Sequence, residues 1–291
     1  MIRRFLRHAV RLLRWVQGFL SKLTSPLLRY AVRLAAALTL GVFVWIVGYI
    51  LVKGVPHLSP ELFAFTYNSE NVSMFPAIIN TLIITALSLL VAVPLGIFAA
   101  IYLVEYAKRG NRLVSLVRIT AETLSGIPSI VYGLFGLLFF VTTMGLGLSV
   151  LSGALTLSIM ILPLILRTTE EALIAVPDTY REGSFGLGAG RLRTVFRIVL
   201  PSAVPGILSG VILAIGRIVG ESAALLYTAG TVAGIPDSLL SSGRTLSVHM
   251  YVLSSEGLYI DQAYATAVVL LILVFGINTL SGFIAKRISK G

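Results

Sequence analysis

Cysteine is absent from this chain, which excludes disulfides and thiolate chemistry. Histidine is nearly so: His8, His57 and His249 lie too far apart in sequence to suggest a histidine-based metal site. Charge is also scarce, since Asp, Glu, Lys and Arg make up only 12% of the residues against about 25% in soluble globular proteins. A Walker A loop is missing, because none of Lys22, Lys53, Lys108, Lys286 or Lys290 completes a G-x-x-x-x-G-K-[ST] pattern. The chain is therefore expected to hold no ATP site, no cofactor and no metal of its own.

What is abundant is apolar surface. Hydrophobic residues make up 57% of the 291, and mean hydropathy is +0.95, the balance of a membrane protein. A helix needs roughly 20 mostly apolar residues to cross about 30 Å of hydrocarbon. Five runs free of Asp, Glu, Lys and Arg meet or approach that length: Leu34–Val52, Ala77–Val104, Thr123–Leu166, Ile198–Gly216 and Gln262–Ala285. The third is too long for one crossing and is interrupted by TTMGLGLS, Thr142 to Ser149, so it reads as a helical hairpin. The fold class that follows is all-α, with six transmembrane helices. Pro94, Pro128, Pro163 and Pro205 predict kinks within the spans.

The net charge of +11 raises the question of nucleic acid, and its distribution answers it. With six spans and both termini on the cytoplasmic side, twenty of the 23 Lys and Arg residues face the cytoplasm. Lys53 and Arg244 fall in exterior loops and Arg217 in a span. This is the positive-inside bias of a chain whose partner is the lipid bilayer, and it removes the need for a nucleic-acid partner. At the N-terminus, Arg4, Arg7, Arg11 and Arg14 share a helical face, so residues 1–28 read as a basic amphipathic cytoplasmic segment, or as a basic tail that fixes orientation. Residues 29–291 form the transmembrane domain. The loop between Tyr227 and Ala263 is unusually long, which predicts that something binds there or that it folds over the pore.

Charges at membrane depth are costly and face a bundle interior or an aqueous cavity. Arg217 and Glu221, four residues apart, are read as one helix face, with Arg217 the first candidate for contact with an anionic solute; a self-neutralised pair is the alternative. Arg167 ends the fourth span and could hold an oxyanion through its planar fork, or simply anchor the helix at the headgroups. Arg118 and Glu122 form a further i,i+4 pair at the interface. Gly206, Gly210, Gly216 and Gly220 form small-xxx-small patterns that suit close helix packing, including against a partner subunit.

The segment from Tyr180 to Pro201, YREGSFGLGAGRLRTVFRIVLP, is polar and glycine-rich in an otherwise apolar chain. Gly186, Gly188 and Gly190 do not match the dinucleotide fingerprint, and no strand precedes them. Thr179 and Glu182 fit a capping box, which predicts a short helix stopping at Gly188. Leu192, Val195, Phe196 and Val199 predict a second amphipathic helix that ends before Pro201. Glu182-Gly183-Ser184, then Gly188, nine residues, and Ile198-Val199-Leu200-Pro201 resemble the E-A-A-x₃-G-x₉-I-x-L-P signature of ABC importer permeases, with Gly183 and Ser184 in place of the two alanines. SGIPSIVYGLFG, LPLILRTTEEALIAVP and GRIVGESAALLYTAG resemble the A-type permease of phosphate-specific importers, over most of the chain from about Tyr30.

The resemblance implies the architecture of a type I importer permease in a bacterial or archaeal cytoplasmic membrane. It makes residues 177–201 a coupling element that docks on an ATPase subunit through Glu182, Gly183, Ser184, Gly188, Ile198, Leu200 and Pro201. Arg167, Arg217 and Glu221 become translocation-path residues. It further implies a C-type permease partner, two copies of an ABC ATPase that carries the ATP and magnesium, and an extracytoplasmic phosphate-binding protein. Two other readings stand beside it: a permease for molybdate, sulfate or a phosphonate, and an ATP-independent anion channel or proton-coupled carrier with Glu221 as relay.

Overall fold

In hydrocarbon each backbone N–H and C=O must find its partner within the protein, and a helix satisfies them inside one segment. The computed structural model follows that rule: helices and turns account for the described residues, with no strand among them. Backbone is described for residues 2–108 and 110–288, and side chains for 28–108, 110–283 and 287. The arginine face read at Arg4, Arg7, Arg11 and Arg14 lies outside the described side chains.

Two compact units divide the chain, residues 1–52 and 53–291. Helix α1 (Ile2–Gly54) supplies the first, and the stretch Leu28–His57, most of it in α1, is long and apolar enough to cross a membrane. In the second unit, short 3₁₀ turns at Val55–His57 and Pro60–Phe63 lead to α2 (Phe75–Ile101), which ends in a π-turn at Tyr102–Tyr106. Helices α3 (Arg112–Ser125) and α4 (Ser129–Gly136) follow, the latter extended by a π-turn to Thr143. Then come α5 (Val150–Ile174), α6 (Asp178–Gly186), α7 (Arg191–Thr194), a π-turn at Val195–Val199, and α8 (Leu200–Val219). Helices α9 (Ala223–Thr228), α10 (Leu246–Glu256) and α11 (Ile260–Ile288) complete the unit.

Among the described residues, five helices are long and apolar enough to span, and α3 with α4 makes six if the bent pair is one span. The hairpin break falls at residues 144–149, within the stretch that suggested it. The third span itself is not one straight helix: α3 and α4 meet at 103°. Pro128 explains the corner, since its ring removes an N–H and forces the preceding residue out of the helical region. Tyr132, one turn into α4, donates its hydroxyl to the Leu124 carbonyl at 2.8 Å and holds the corner closed.

Pro201 does not act as a stop. Residues Arg191–Val219 run as one span, because the π-turn before Pro201 lets the Leu200 N–H reach the Val195 carbonyl five residues back. The helix thereby absorbs a residue that cannot donate.

Helix α5 is the centre of the bundle. Buried residues make up 67% of its most apolar window, against 28% for the spans of α2 and α8 on either side. Ile84, Leu157, Ile161, Ile165, Ala214 and Ile218 form the core between these three. Ser158 donates to the Ser88 carbonyl at 3.2 Å and Ser88 to the Ala154 carbonyl at 3.1 Å, joining α2 to α5 without exposing a polar atom to lipid. A Cβ at Gly206 or Gly210 would collide with Ala172 or Thr168 of α5, so this small-xxx-small pattern serves packing inside the chain. The long loop after Tyr227 is folded in at its middle, where residues Gly243 to His249 are buried and α10 begins, while residues 237–240 before it are exposed.

Candidate translocation path and docking element

Arg217 sits in the last turn of α8, half-buried, and Glu221 is 9% exposed. They do not share a helix face. Gly220 caps α8, and Glu221 lies in the turn before α9, where its Oε1 accepts the Ala224 N–H at 3.1 Å. The Glu221 carbonyl accepts the Ser247 hydroxyl at the start of α10. A glycine after Val219 is a common helix stop, and it converts an expected i,i+4 pair into two separate groups. Among the described residues, Arg217 has no carboxylate within ion-pair distance.

Arg167 has different company. Its Nε is 3.3 Å from Glu171, one turn on, and its Nη1 is 3.7 Å from Glu122 of α3. Arg118 of α3 pairs in turn with Glu170, whose side chain is 10% exposed. The expected Arg118–Glu122 pair along one helix is thus exchanged for crossed pairs that tie α3 to α5. Arg167 faces carboxylates that satisfy it, so of the two path arginines Arg217 is the one without an acidic partner among the described residues.

The candidate docking element forms the expected short helix, with a correction at its start besides the one at Pro201. Helix α6 spans Asp178–Gly186 and Gly188 adopts φ +83°, the left-handed conformation that favours glycine after a helix. The capping box is not made: Pro177 is the N-cap and no side chain caps the helix. Glu182 and Gly183 are exposed, and a Cβ on Gly183 would meet nothing within 4 Å. Ser184 is buried, its hydroxyl 2.8 Å from that of Thr194 on α7, so the residue in place of the second alanine bolts α6 to the helix that follows. Ile198 and Leu200 are half-buried and Pro201 is exposed. Tyr180, Phe185, Leu187, Leu192 and Phe196 are exposed around the element, Leu187 at 91%.

Sequence reasoning missed the residue that fixes this element in place. Arg181 of α6 is enclosed by acceptors: Glu105 at 2.7 Å, Asp178 at 3.1 Å, and the carbonyls of Val176 at 2.8 Å and Leu173 at 2.9 Å. Both Arg181 and Glu105 are largely buried, with side chains 14% and 8% exposed. The available signal was Glu105 itself, a lone acid directly after a long charge-free run and just ahead of Lys108, Arg109 and Arg112. The pair fastens the end of α2 to α6 beside a cavity of about 1040 Å³, which Arg112, Arg118 and Arg191 also line. Among the described residues, no group of three or more His, Cys, Asp or Glu residues could hold a metal ion.

A bundle of apolar spans, with an arginine in the last turn of one of them and a short helix rimmed by exposed apolar side chains, defines a multi-pass membrane protein. The chain belongs to the family of inner membrane components of binding-protein-dependent transport systems, whose model matches residues 92–291. It is 34% identical over 289 residues to a probable ABC transporter permease of Bacillus subtilis (strain 168), YqgI, covering 92% of this chain and 97% of that one. It is 35% identical over 220 residues to the phosphate transport system permease protein PstA 1 of Mycobacterium tuberculosis (strain CDC 1551 / Oshkosh), covering 74% and 72%. To PstA of Pasteurella multocida (strain Pm70) it is 39% identical over 187 residues, covering 64% and 66%. In fold it is similar to a bacterial ABC transporter involved in the import of the acidic polysaccharide alginate, with TM-score 0.63 and 20% identity over 88% of this chain and 96% of that one. The methionine transporter MetNI in an inward-facing form gives TM-score 0.55 and 19% identity, covering 74% and 94%.

Proposed function

We propose that this chain is the transmembrane permease subunit of an ATP-binding-cassette importer for inorganic phosphate. The observation that carries the substrate is the similarity, at 34–39% identity, to phosphate transport permeases of several bacteria. Arg217 is consistent with it: a cation at the end of a span, with no acid to neutralise it, favours an anion on the path. In this reading the chain pairs with a C-type permease, with N- and C-termini in the cytoplasm, and receives phosphate from an extracytoplasmic binding protein. ATP and magnesium belong to two copies of a separate ATPase subunit, since this chain has no phosphate-cradling loop.

The mechanism is alternating access. The exposed rim of the docking element seats in the ATPase, and closure of the ATPases around ATP displaces α6. Because Arg181 and Ser184 lock α6 to α2 and α7, that displacement moves spans rather than bending a loop. Arg217 then changes sides of the barrier. No bond in the substrate is made or broken.

Labelled phosphate uptake by the assembled complex in vesicles tests the proposal. Uptake should require ATP hydrolysis and should be competed by unlabelled phosphate and not by sulfate or molybdate. Uptake blocked by molybdate but not by excess phosphate overturns the substrate; uptake driven by a proton gradient without ATP overturns the importer. The docking element has its own test: Glu182→Lys should abolish co-purification with the ATPase or uncouple hydrolysis from uptake, and unchanged assembly with unchanged coupling removes the assignment.

A further inference from the structure

Another arginine is buried more deeply than Arg217. Arg244, in the exterior loop just before α10, is 4% exposed, and its Nε and Nη2 are buried with no hydrogen-bond partner. No carboxylate among the described residues pairs with it. Arginine cannot discharge itself by losing a proton, so a buried guanidinium needs compensation from elsewhere. Part of it is local, since the guanidinium carbon sits 4.7 Å above the centre of the Tyr67 ring. A π-face supplies no lone pairs to the two empty N–H groups.

The neighbours are unsatisfied in a complementary sense. His249 of α10 is fully buried, stands edge-on to the same Tyr67 ring at 6.2 Å, and makes no well-formed hydrogen bond through either nitrogen. Burial, and then the charge of Arg244, push its pKa down to about 3 against a smaller opposing pull from the backbone of Val72, so the ring is neutral. Asn80 of α2 donates to the carbonyls of Gly234 at 3.0 Å and Arg244 at 3.2 Å. Those two bonds fix its amide orientation and leave Oδ1 as a buried acceptor with nothing to accept. The group therefore offers both charged donors and a neutral acceptor. At neutral pH inorganic phosphate carries anionic oxygens together with at least one P–OH, whereas sulfate and molybdate carry no proton.

The surroundings tie this cluster to the path. Ser247, three residues after Arg244, donates to the carbonyl of Glu221, four residues after Arg217. Leu246 donates its N–H to Thr81 of α2. Tyr67, half-buried, is the cover, and the loop that bears it is braced: Asn68 and Asn71 side chains bind its backbone, and Val72 is held at φ +45°, costly for a β-branched residue.

We propose that Arg244, with His249 and Asn80 beside it and Tyr67 over it, is an outer binding station for phosphate on the way to Arg217. This rests on the phosphate-importer reading. The guanidinium donates to the anionic oxygens, Asn80 Oδ1 accepts the P–OH, and Tyr67 turns aside to admit the ion.

A Tyr67→Trp reporter in the otherwise wild-type complex, in nanodiscs without the binding protein, tests this with inorganic phosphate as probe. The complex with Tyr67 intact supplies the fluorescence background. Expected is a saturable change in the reporter's emission with phosphate and none with sulfate. The change should vanish in Arg244→Gln, weaken about tenfold in half-saturation in Arg244→Lys, and persist in Arg217→Gln. No response to phosphate, an equal response to sulfate, or a half-saturation unmoved by Arg244→Lys overturns the proposal. Uptake by the wild-type complex separates the two readings: phosphate uptake with a silent reporter removes the outer station alone, and absent phosphate uptake removes the importer reading itself.

Discussion

The arginines of α3, α5 and α6 and those at the end of α8 and before α10 keep different company. Arg181, Arg118 and Arg167 each meet at least one carboxylate, and the pairs join elements: α6 to the π-turn that ends α2, and α3 to α5. Arg217 at the end of α8 and Arg244 before α10 meet none among the described residues. A paired, enclosed arginine is a joint, because removing either partner strands the other. An enclosed arginine without a partner is a cost to the fold that only a ligand offsets. Under the proposed function the first kind transmits a push from the ATPase, and the second waits for an anion.

The comparison breaks most visibly at Arg217. Arg217→Gln should bring phosphate uptake to background while leaving the melting temperature of the complex unchanged or slightly raised, since no acid is stranded. Arg217→Lys keeps the charge and loses the planar fork, so uptake should fall on the order of tenfold. Initial rates of labelled uptake and thermal unfolding of the same preparations check both. A large loss of stability in Arg217→Gln would make it a joint like the others.

The opposite signature is expected at Arg181. Glu105→Ala leaves its guanidinium enclosed with fewer negative partners and should cost about 3–5 kcal/mol, with the double variant Glu105→Ala/Arg181→Met recovering much of it. Denaturation of the detergent-solubilised chain reads this directly. A loss under about 1 kcal/mol would place the pair with exposed surface bridges.

The difference between these two arginines was only half legible in the sequence. The scarcity of charge gave away the spans, and the spacing from Glu182 to Pro201 gave away the short helix and its glycine stop, because both are local patterns. Glu105 and Arg181 are 76 residues apart, and only the tertiary fold brings the π-turn after α2 beside α6. Spacing placed Glu221 on the face of Arg217, but Gly220 ends the helix one residue too early for that rule. Arg244 read as one more loop charge, since burial of a loop is decided by what folds over it, here Tyr67 and α2.

His249 extends the comparison to pH. Its folded pKa of about 3 lies below the ordinary 6.5, so the unfolded chain binds a proton that the folded chain refuses. Stability from this residue is complete above about pH 6.5 and is lost as pH falls from there toward 3. Between pH 6.5 and 5 the loss should be about 2 kcal/mol. His249→Gln should flatten that part of the profile, and Arg244→Gln should flatten it partly, because burial remains. A profile identical in His249→Gln would mean that the histidine is not held neutral beside Arg244.

The smallest effect separates a charged joint from a neutral one. Ser184→Ala removes the bond to Thr194, worth about 1 kcal/mol, but Thr194 keeps the Gly190 carbonyl as a second partner at 3.2 Å. Alanine also suits a helix better than serine by roughly 0.5 kcal/mol. The net loss should therefore be about 0.5 kcal/mol, below that of Thr194→Val, which forfeits both bonds and gains no helix propensity. Hydrogen exchange across residues 184–194 should rise in both variants, more in Thr194→Val. Equal exchange in the two would mean that α6 is held by Arg181 alone, and that the serine in place of the second alanine adds no stiffness to the element.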